Sequence, residues 1–194
     1  MSILLIGGSP SINSRSGRLL EEIGRRLEQE GLAVDRLHVR ELPAQALLHA
    51  DFKHPEIVAA LRRVENAEGI VIGTPVYKAA YSGVLKSFID LLPQFGLRGK
   101  VVLPLASGGS AAHTLILDYA LRPVLASLAP RQILESIYAV EQQIVWSELD
   151  GLTLDPVIEQ RVQLGVAGLL DALHPALPFS HAVQPHTERH ALTV

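Results

Sequence analysis

Short apolar runs without alternation, separated by longer amphipathic stretches, leave this chain few possible folds. Residues 3–6 read Ile-Leu-Leu-Ile, residues 69–73 Gly-Ile-Val-Ile-Gly, and residues 101–106 Val-Val-Leu-Pro-Leu-Ala. A strand that is apolar on both sides is buried on both faces, which is the condition of a parallel sheet with helices above and below it. Weaker runs at 34–39 and 132–138 supply two more strands, and Lys100 opens the fourth. Between them lie one-sided helical patterns. Leu19, Leu20, Ile23 and Leu27 share a face, with Gly31 placed to stop the helix. Further helices are expected over 56–67, 82–92, 111–128 and 156–173. The last carries Ile158, Val162, Val166, Leu169, Leu170 and Leu173 on one side.

Five strands in strict alternation with five helices predict an α/β fold. The expected architecture is a doubly wound, five-stranded parallel sheet in the flavodoxin-like order 2-1-3-4-5, with helices on both faces. A length of 194 residues suits one domain, expected over 1–174. Residues 175–194 carry three prolines and three histidines without apolar periodicity, and read as an extended or disordered tail. The net charge of −3 lacks the basic surplus of a nucleic-acid binder, and no polybasic run suits a membrane surface. Cysteine is absent, which excludes disulfides, thiolate nucleophiles and cysteine-based phosphatase chemistry. No membrane-length apolar stretch and no signal-peptide pattern occur, so the expected compartment is the cytoplasm.

In an open parallel sheet, ligands bind beyond the carboxyl ends of the strands. Three loops leave that edge, each rich in Gly, Ser or Pro. Residues 7–16 (Gly-Gly-Ser-Pro-Ser-Ile-Asn-Ser-Arg-Ser) lead into the first helix. Their hydroxyls, the Arg15 guanidinium and the free N–H groups of a helix N-terminus suit a phosphate. The other reading is an ordinary polar loop capped by Ser16. The loop matches neither G-x-G-x-x-G nor G-x-x-x-x-G-K-[ST], and no G-x-S-x-G occurs. The second loop, residues 74–83, holds Pro75, Val76 and Tyr77, a rigid apolar wall for a flat ring, or a proline turn with core aromatics. The third, Ser107-Gly108-Gly109-Ser110, permits close backbone approach to a ligand, with His113 beside it.

At these loops the chain resembles the NAD(P)H-dependent FMN reductases, specifically the reductases that serve alkanesulfonate monooxygenases. The carrying segments are 8–10 with 14–16, the run Pro-Val-Tyr-Lys-Ala-Ala-Tyr-Ser-Gly at 75–83 with Leu85-Lys86, residues 99–106 with Gly108-Gly109, and Asp118-Tyr119-Ala120-Leu121. The resemblance covers roughly residues 1–173. It implies that Ser9, Ser14, Arg15 and Ser16 hold the FMN phosphate. Pro75, Val76 and Tyr77 would line the ring, with Ser107, Gly108, Gly109 and His113 closing the far side. It implies hydride transfer from NADPH or NADH to FMN, a homo-oligomer (dimer or tetramer), and a flavin-dependent alkanesulfonate monooxygenase as recipient of FMNH₂. Tyr119 matches an inserted tyrosine that forms a π-bulge at the subunit interface in that subgroup, which keeps FMN dissociable. Many members carry arginine where this chain has Ser11.

The resemblance also implies that no side chain acts as catalytic acid or base, because the cofactors carry the chemistry. Three other readings fit the same residues. One is a quinone or azo reductase of this fold with tightly held FMN. A second is a non-enzymatic electron carrier, which tends to be more acidic than −3. A third is a metal site on His174, His181, His186 and His190, whose spacings are loose for ligands; no metal site is expected.

Overall fold

A computed structural model describes residues 1–174. The expected tail, with His181, His186 and His190, lies outside the described residues. Strands β1 (Ser2–Gly7), β2 (Ala33–His38), β3 (Gly69–Tyr77) and β5 (Val101–Gly108) are parallel neighbours in the order β2-β1-β3-β5. The fifth position is shared by β6 (Gln132–Ile133) and β7 (Ile137–Val140), both parallel to β5. This is the expected flavodoxin-like order. Helices α1 (Arg15–Gln29) and α6 (Pro156–Leu173) cover one face. Their buried Leu19, Ile23, Leu27, Val162 and Leu169 pack with Ile3, Leu5, Val71 and Leu103 of the sheet. Helices α3 (Pro55–Asn66), α4 (Gly83–Ile89) and α5 (Arg122–Ser127) cover the other, with Phe88 fully buried against Leu4, Ile70 and Val102. A one-turn helix, α2 (Ala44–Leu48), adds to this layer and was not expected.

Helix α1 ends as the sequence suggests. Gly31 sits at φ +81°, its N–H bonds to the Glu28 carbonyl, and the Leu32 N–H reaches back to Leu27. That pair of bonds closes the last turn only when the intervening residue is left-handed, a conformation glycine adopts without penalty.

Four elements differ from the expectation. Strand β3 does not stop at Thr74-Pro75 but runs on to Tyr77. It then folds back as β4 (Ala80–Tyr81) through Lys78 and Ala79, at φ +50° and +57°. Two successive left-handed residues make the tight hairpin turn whose twist matches its strands. The fifth strand breaks because β5 advances three residues, from Val102 to Leu105, while its partner advances four, from Ile133 to Ile137. Pro104 falls within that step and has no N–H to offer, so the outer strand bulges there. Arg122 fills the gap, donating to the carbonyls of Ile133 (3.2 Å) and Leu134 (2.9 Å).

The helix expected over 111–128 is not one α-helix. A 3₁₀ turn (Ala111–His113) is followed by a π-helix (Leu117–Leu121) and then α5. Pro123 cannot donate to the Tyr119 carbonyl and its ring crowds that carbonyl, which the wider turn accommodates. The fourth difference is an antiparallel hairpin, β8 (Ile144–Ser147) and β9 (Gly151–Leu154), between the sheet and α6. Its signal was present as Asp150-Gly151, with Gly151 at φ +71°.

Lys100 is buried at the start of β5, and its Nζ donates to the carbonyls of Glu65 and Ala67, each at 2.7 Å. Those carbonyls close the C-terminal end of α3, where a cation also meets the negative end of the helix dipole. Burial pulls the ammonium below its ordinary pKa. Lys100→Met keeps the apolar stem and abandons both carbonyls. The expected loss is about 1–3 kcal/mol in urea unfolding; unchanged stability would contradict this account.

Candidate functional site

Strands β1, β3 and β5 end side by side, so the three loops emerge on one rim. Buried polar bonds weld the first two. The Gly8 N–H donates to the Gly73 carbonyl at 2.8 Å, and the Ser82 hydroxyl donates to the Gly8 carbonyl. The same Ser82 oxygen accepts the Leu85 N–H at 3.0 Å, capping α4, while the Ser82 N–H donates to Thr74 Oγ1 at 3.0 Å. Gly8 has to lack a side chain here, since a Cβ would stand 2.6 Å from Leu85 Cβ. The third loop is tied from below: the Tyr138 hydroxyl donates to the Ser110 carbonyl at 2.6 Å. A Cβ on Gly108 would collide with that hydroxyl and stand 3.2 Å from Val76 Cβ. Burial is the main cause that raises the Tyr138 pKa, with the Glu141 carboxylate second, so the phenol stays protonated as donor.

At the end expected to hold the phosphate, Ser14 and not Ser16 caps α1: its hydroxyl accepts the Gly17 N–H at 3.0 Å. The backbone carbonyl of Ser14 takes the Arg18 N–H, which leaves the N–H groups of Arg15 and Ser16 without intrahelical acceptors. No acidic residue sits in the first turn of α1. Ser9 and Ser16 are buried; Ser9 Oγ accepts the Ser11 N–H at 3.1 Å, and Ser16 Oγ lies 3.5 Å from Ser14 Oγ. Arg15 is half exposed and its Nη1 contacts Glu141 Oε2 at 2.9 Å. A cavity of about 370 Å³ opens there, lined by Asn13, Arg15, Arg18, Glu141 and Gln142 with the hairpin's Val145 and Trp146.

At the other end, Val76, Lys78, Ala79, Gly109, Ser110 and His113 line a cavity of about 600 Å³. Pro75 and Ser107 are buried beneath it, paired in register across β3 and β5, while Tyr77 stands 49% exposed at the hairpin. Nothing lies within 4 Å of where a Gly109 Cβ would be, so that glycine leaves room above the loop. The expected residues therefore divide. Arg15 lines one cavity; Val76, Gly109 and His113 line the other; Ser9, Ser16, Pro75, Ser107 and Gly108 form the buried floor. The sequence reading missed Lys78, Ala79 and the contributions of Glu141 and Trp146. The last two come from beyond the fifth strand, where the sequence carries no loop signature like the other three.

The free N–H groups of a helix terminus at one end and a glycine-lined cavity at the other are groups that a flavin mononucleotide can use. Among the described residues, no group of three His, Asp or Glu side chains could hold a metal ion, and no helix is long and apolar enough to cross a membrane. Ser82→Ala would strand the Gly8 carbonyl and the Leu85 N–H in a buried place. The expected cost is about 1–3 kcal/mol of stability, together with weakened flavin affinity, read by unfolding and by flavin titration.

Residues 1–144 match the family model described as NADPH-dependent FMN reductase. The chain is 47% identical over 148 residues to an FMN reductase (NADPH) of Pseudomonas putida, covering 76% of this chain and 75% of that one. It is 42% identical over 145 residues to an FMN reductase (NADPH) of Escherichia coli, covering 75% and 76%. The structure superposes on an NADH:FMN oxidoreductase (EMOB) in its apo form with TM-score 0.78 and 38% identity, covering 87% of each chain. With the weld between the first two loops, the glycine-lined ledge and these likenesses together, the chain belongs to the NADPH-dependent FMN reductase family.

Proposed function

We propose that this protein carries hydride from NADPH or NADH to FMN and releases the reduced flavin to a flavin-dependent monooxygenase acting on alkanesulfonates. One observation carries the reading. A single rim offers the free N–H groups of α1 at one end and the glycine-floored cavity of about 600 Å³ at the other. Hydride leaves C4 of the nicotinamide and is taken up at N5 of the flavin, so the chain's task is alignment rather than proton transfer. Val76 and Gly109 provide the ledge; Ser14 and the first turn of α1 hold the phosphate end. The cytoplasm, where both nucleotides are available, is the setting.

Release is supported by Arg15. Its guanidinium already holds the Glu141 carboxylate at 2.9 Å, so an incoming phosphate competes for it. A cation shared in this way binds an anion less tightly than a free one, which suits a flavin that must leave. Assay of NADPH and NADH oxidation with and without added FMN tests the reading. Colourless protein that needs added FMN supports it; stoichiometric yellow flavin with ping-pong kinetics favours a quinone-type reductase. Arg15→Ala should weaken FMN binding about tenfold, the worth of a charge-assisted bond, and leave riboflavin unaffected. Equal losses for both flavins would remove Arg15 from the phosphate end.

Tyr119 is the proposed contact between copies. It stands 78% exposed on the π-helix, four residues from Leu115, which is also exposed. Bare apolar side chains on one segment suit burial against a second copy. Tyr119→Asp should give a smaller species in analytical ultracentrifugation. An unchanged sedimentation coefficient would place the interface elsewhere.

A further inference from the structure

Two cavities meet at one pair of side chains away from the flavin ledge. The Arg18 guanidinium carbon lies 3.9 Å from the centroid of the Trp146 ring. Both residues line the cavity of about 370 Å³ that also holds Arg15 and Asn13. Both also line a groove of about 570 Å³ that runs along α1 past Ile12 towards His38 and Arg40. The pair thus connects the helix terminus to the larger groove.

The charges in that groove are unequal in availability. Arg25 is held by Glu22, Arg36 by Glu21 and Glu28, and Arg40 by Glu41. No carboxylate pairs with Arg18 among the described residues; its partner is the indole face. Trp146 keeps 46% of its surface exposed, on a hairpin beyond residue 144, where the family match ends. A guanidinium without a counter-ion seeks phosphate, and an exposed indole offers a stacking face to a purine.

We infer that Arg18 and Trp146 form the subsite for the adenine-nucleotide half of the nicotinamide substrate, with the base on the indole and a phosphate on the guanidinium. This rests on the hydride-donor reading given above. The flavin ledge then receives the nicotinamide end, while the first turn of α1 and Arg15 keep the FMN phosphate.

Trp146 is the only tryptophan in the chain, so intrinsic fluorescence reports on this site alone. ADP and 2′,5′-ADP carry the adenine and its phosphates but no hydride. Titrated into the flavin-free full-length chain, one or both should quench the emission saturably. Arg18→Gln should weaken that binding about tenfold or more and raise the KM for the nicotinamide nucleotide to match, by a clearly larger factor than any change in the KM for FMN. Trp146→Leu should raise the same nicotinamide KM. The subsite is overturned if neither ADP perturbs the fluorescence of protein that turns over normally. It is equally overturned if FMN alone quenches and Arg18→Gln raises the KM for FMN but not that for the nicotinamide nucleotide. Protein that oxidises neither nicotinamide nucleotide with FMN present defeats the parent reading instead, and the subsite with it.

Discussion

One buried hydroxyl holds the functional rim in shape. Ser82 donates to the carbonyl of Gly8, accepts from the N–H of Leu85 and, through its own N–H, reaches Thr74. The first loop is therefore tied, across 74 positions of sequence, to the residue that joins β3 and β4 to α4. Inside a protein such bonds are stronger than in water, and breaking one strands its partner. The arrangement lets the loops be polar and glycine-rich without being loose. It also explains why α4 begins where it does: the residue that caps the helix is the one that clamps the first loop.

The two core layers give this rim a rigid base. Strands buried on both faces allow no rotation of one strand against the next without opening apolar contacts on both sides. On one face, α1 and α6 are further joined by a two-pronged contact between Arg26 and Glu159, at 2.8 and 2.7 Å. That guanidinium also meets Glu22 at 2.8 Å. The last turn of α1 is thereby pinned to α6, while its buried Leu19, Leu20 and Ile23 hold the body of the helix on the sheet. An anion site built from backbone N–H groups is only as well oriented as the helix that carries them.

Much of this was legible in the sequence because burial on both faces leaves a simple record. The run Ile70-Val71-Ile72 has no polar position, and only a central parallel strand accepts it. The three rim loops were legible because glycine, serine and proline are needed where backbone approaches a ligand. What escaped has equally physical reasons. The extension of β3 past Pro75 depends on left-handed Lys78 and Ala79, residue types that carry no turn signal. The π-helix was implied only by the resemblance at Tyr119; the apolar spacing there looked α-helical, and Pro123 acting on a carbonyl four residues earlier is its cause. The β8–β9 hairpin is short, and Asp150-Gly151 was its sole marker. Ser14 caps α1 in place of the expected Ser16, because Ser16 falls inside the first turn, where its side chain is buried.

Pro104 and the bulge opposite it bear on how copies of this chain can meet. An outer strand with an unbroken row of hydrogen-bonding groups invites a foreign strand to lie alongside. Here that border is interrupted between β6 and β7, and the exposed carbonyls at the interruption are already claimed by Arg122. The opposite border, β2, carries Asp35 and Arg36, each locked to a neighbouring helix by an ion pair. Neither flank is open to ribbon-like growth. Any pairing of copies is thereby steered to the helical surfaces, and neighbouring chains gain no template for fibrils from this sheet.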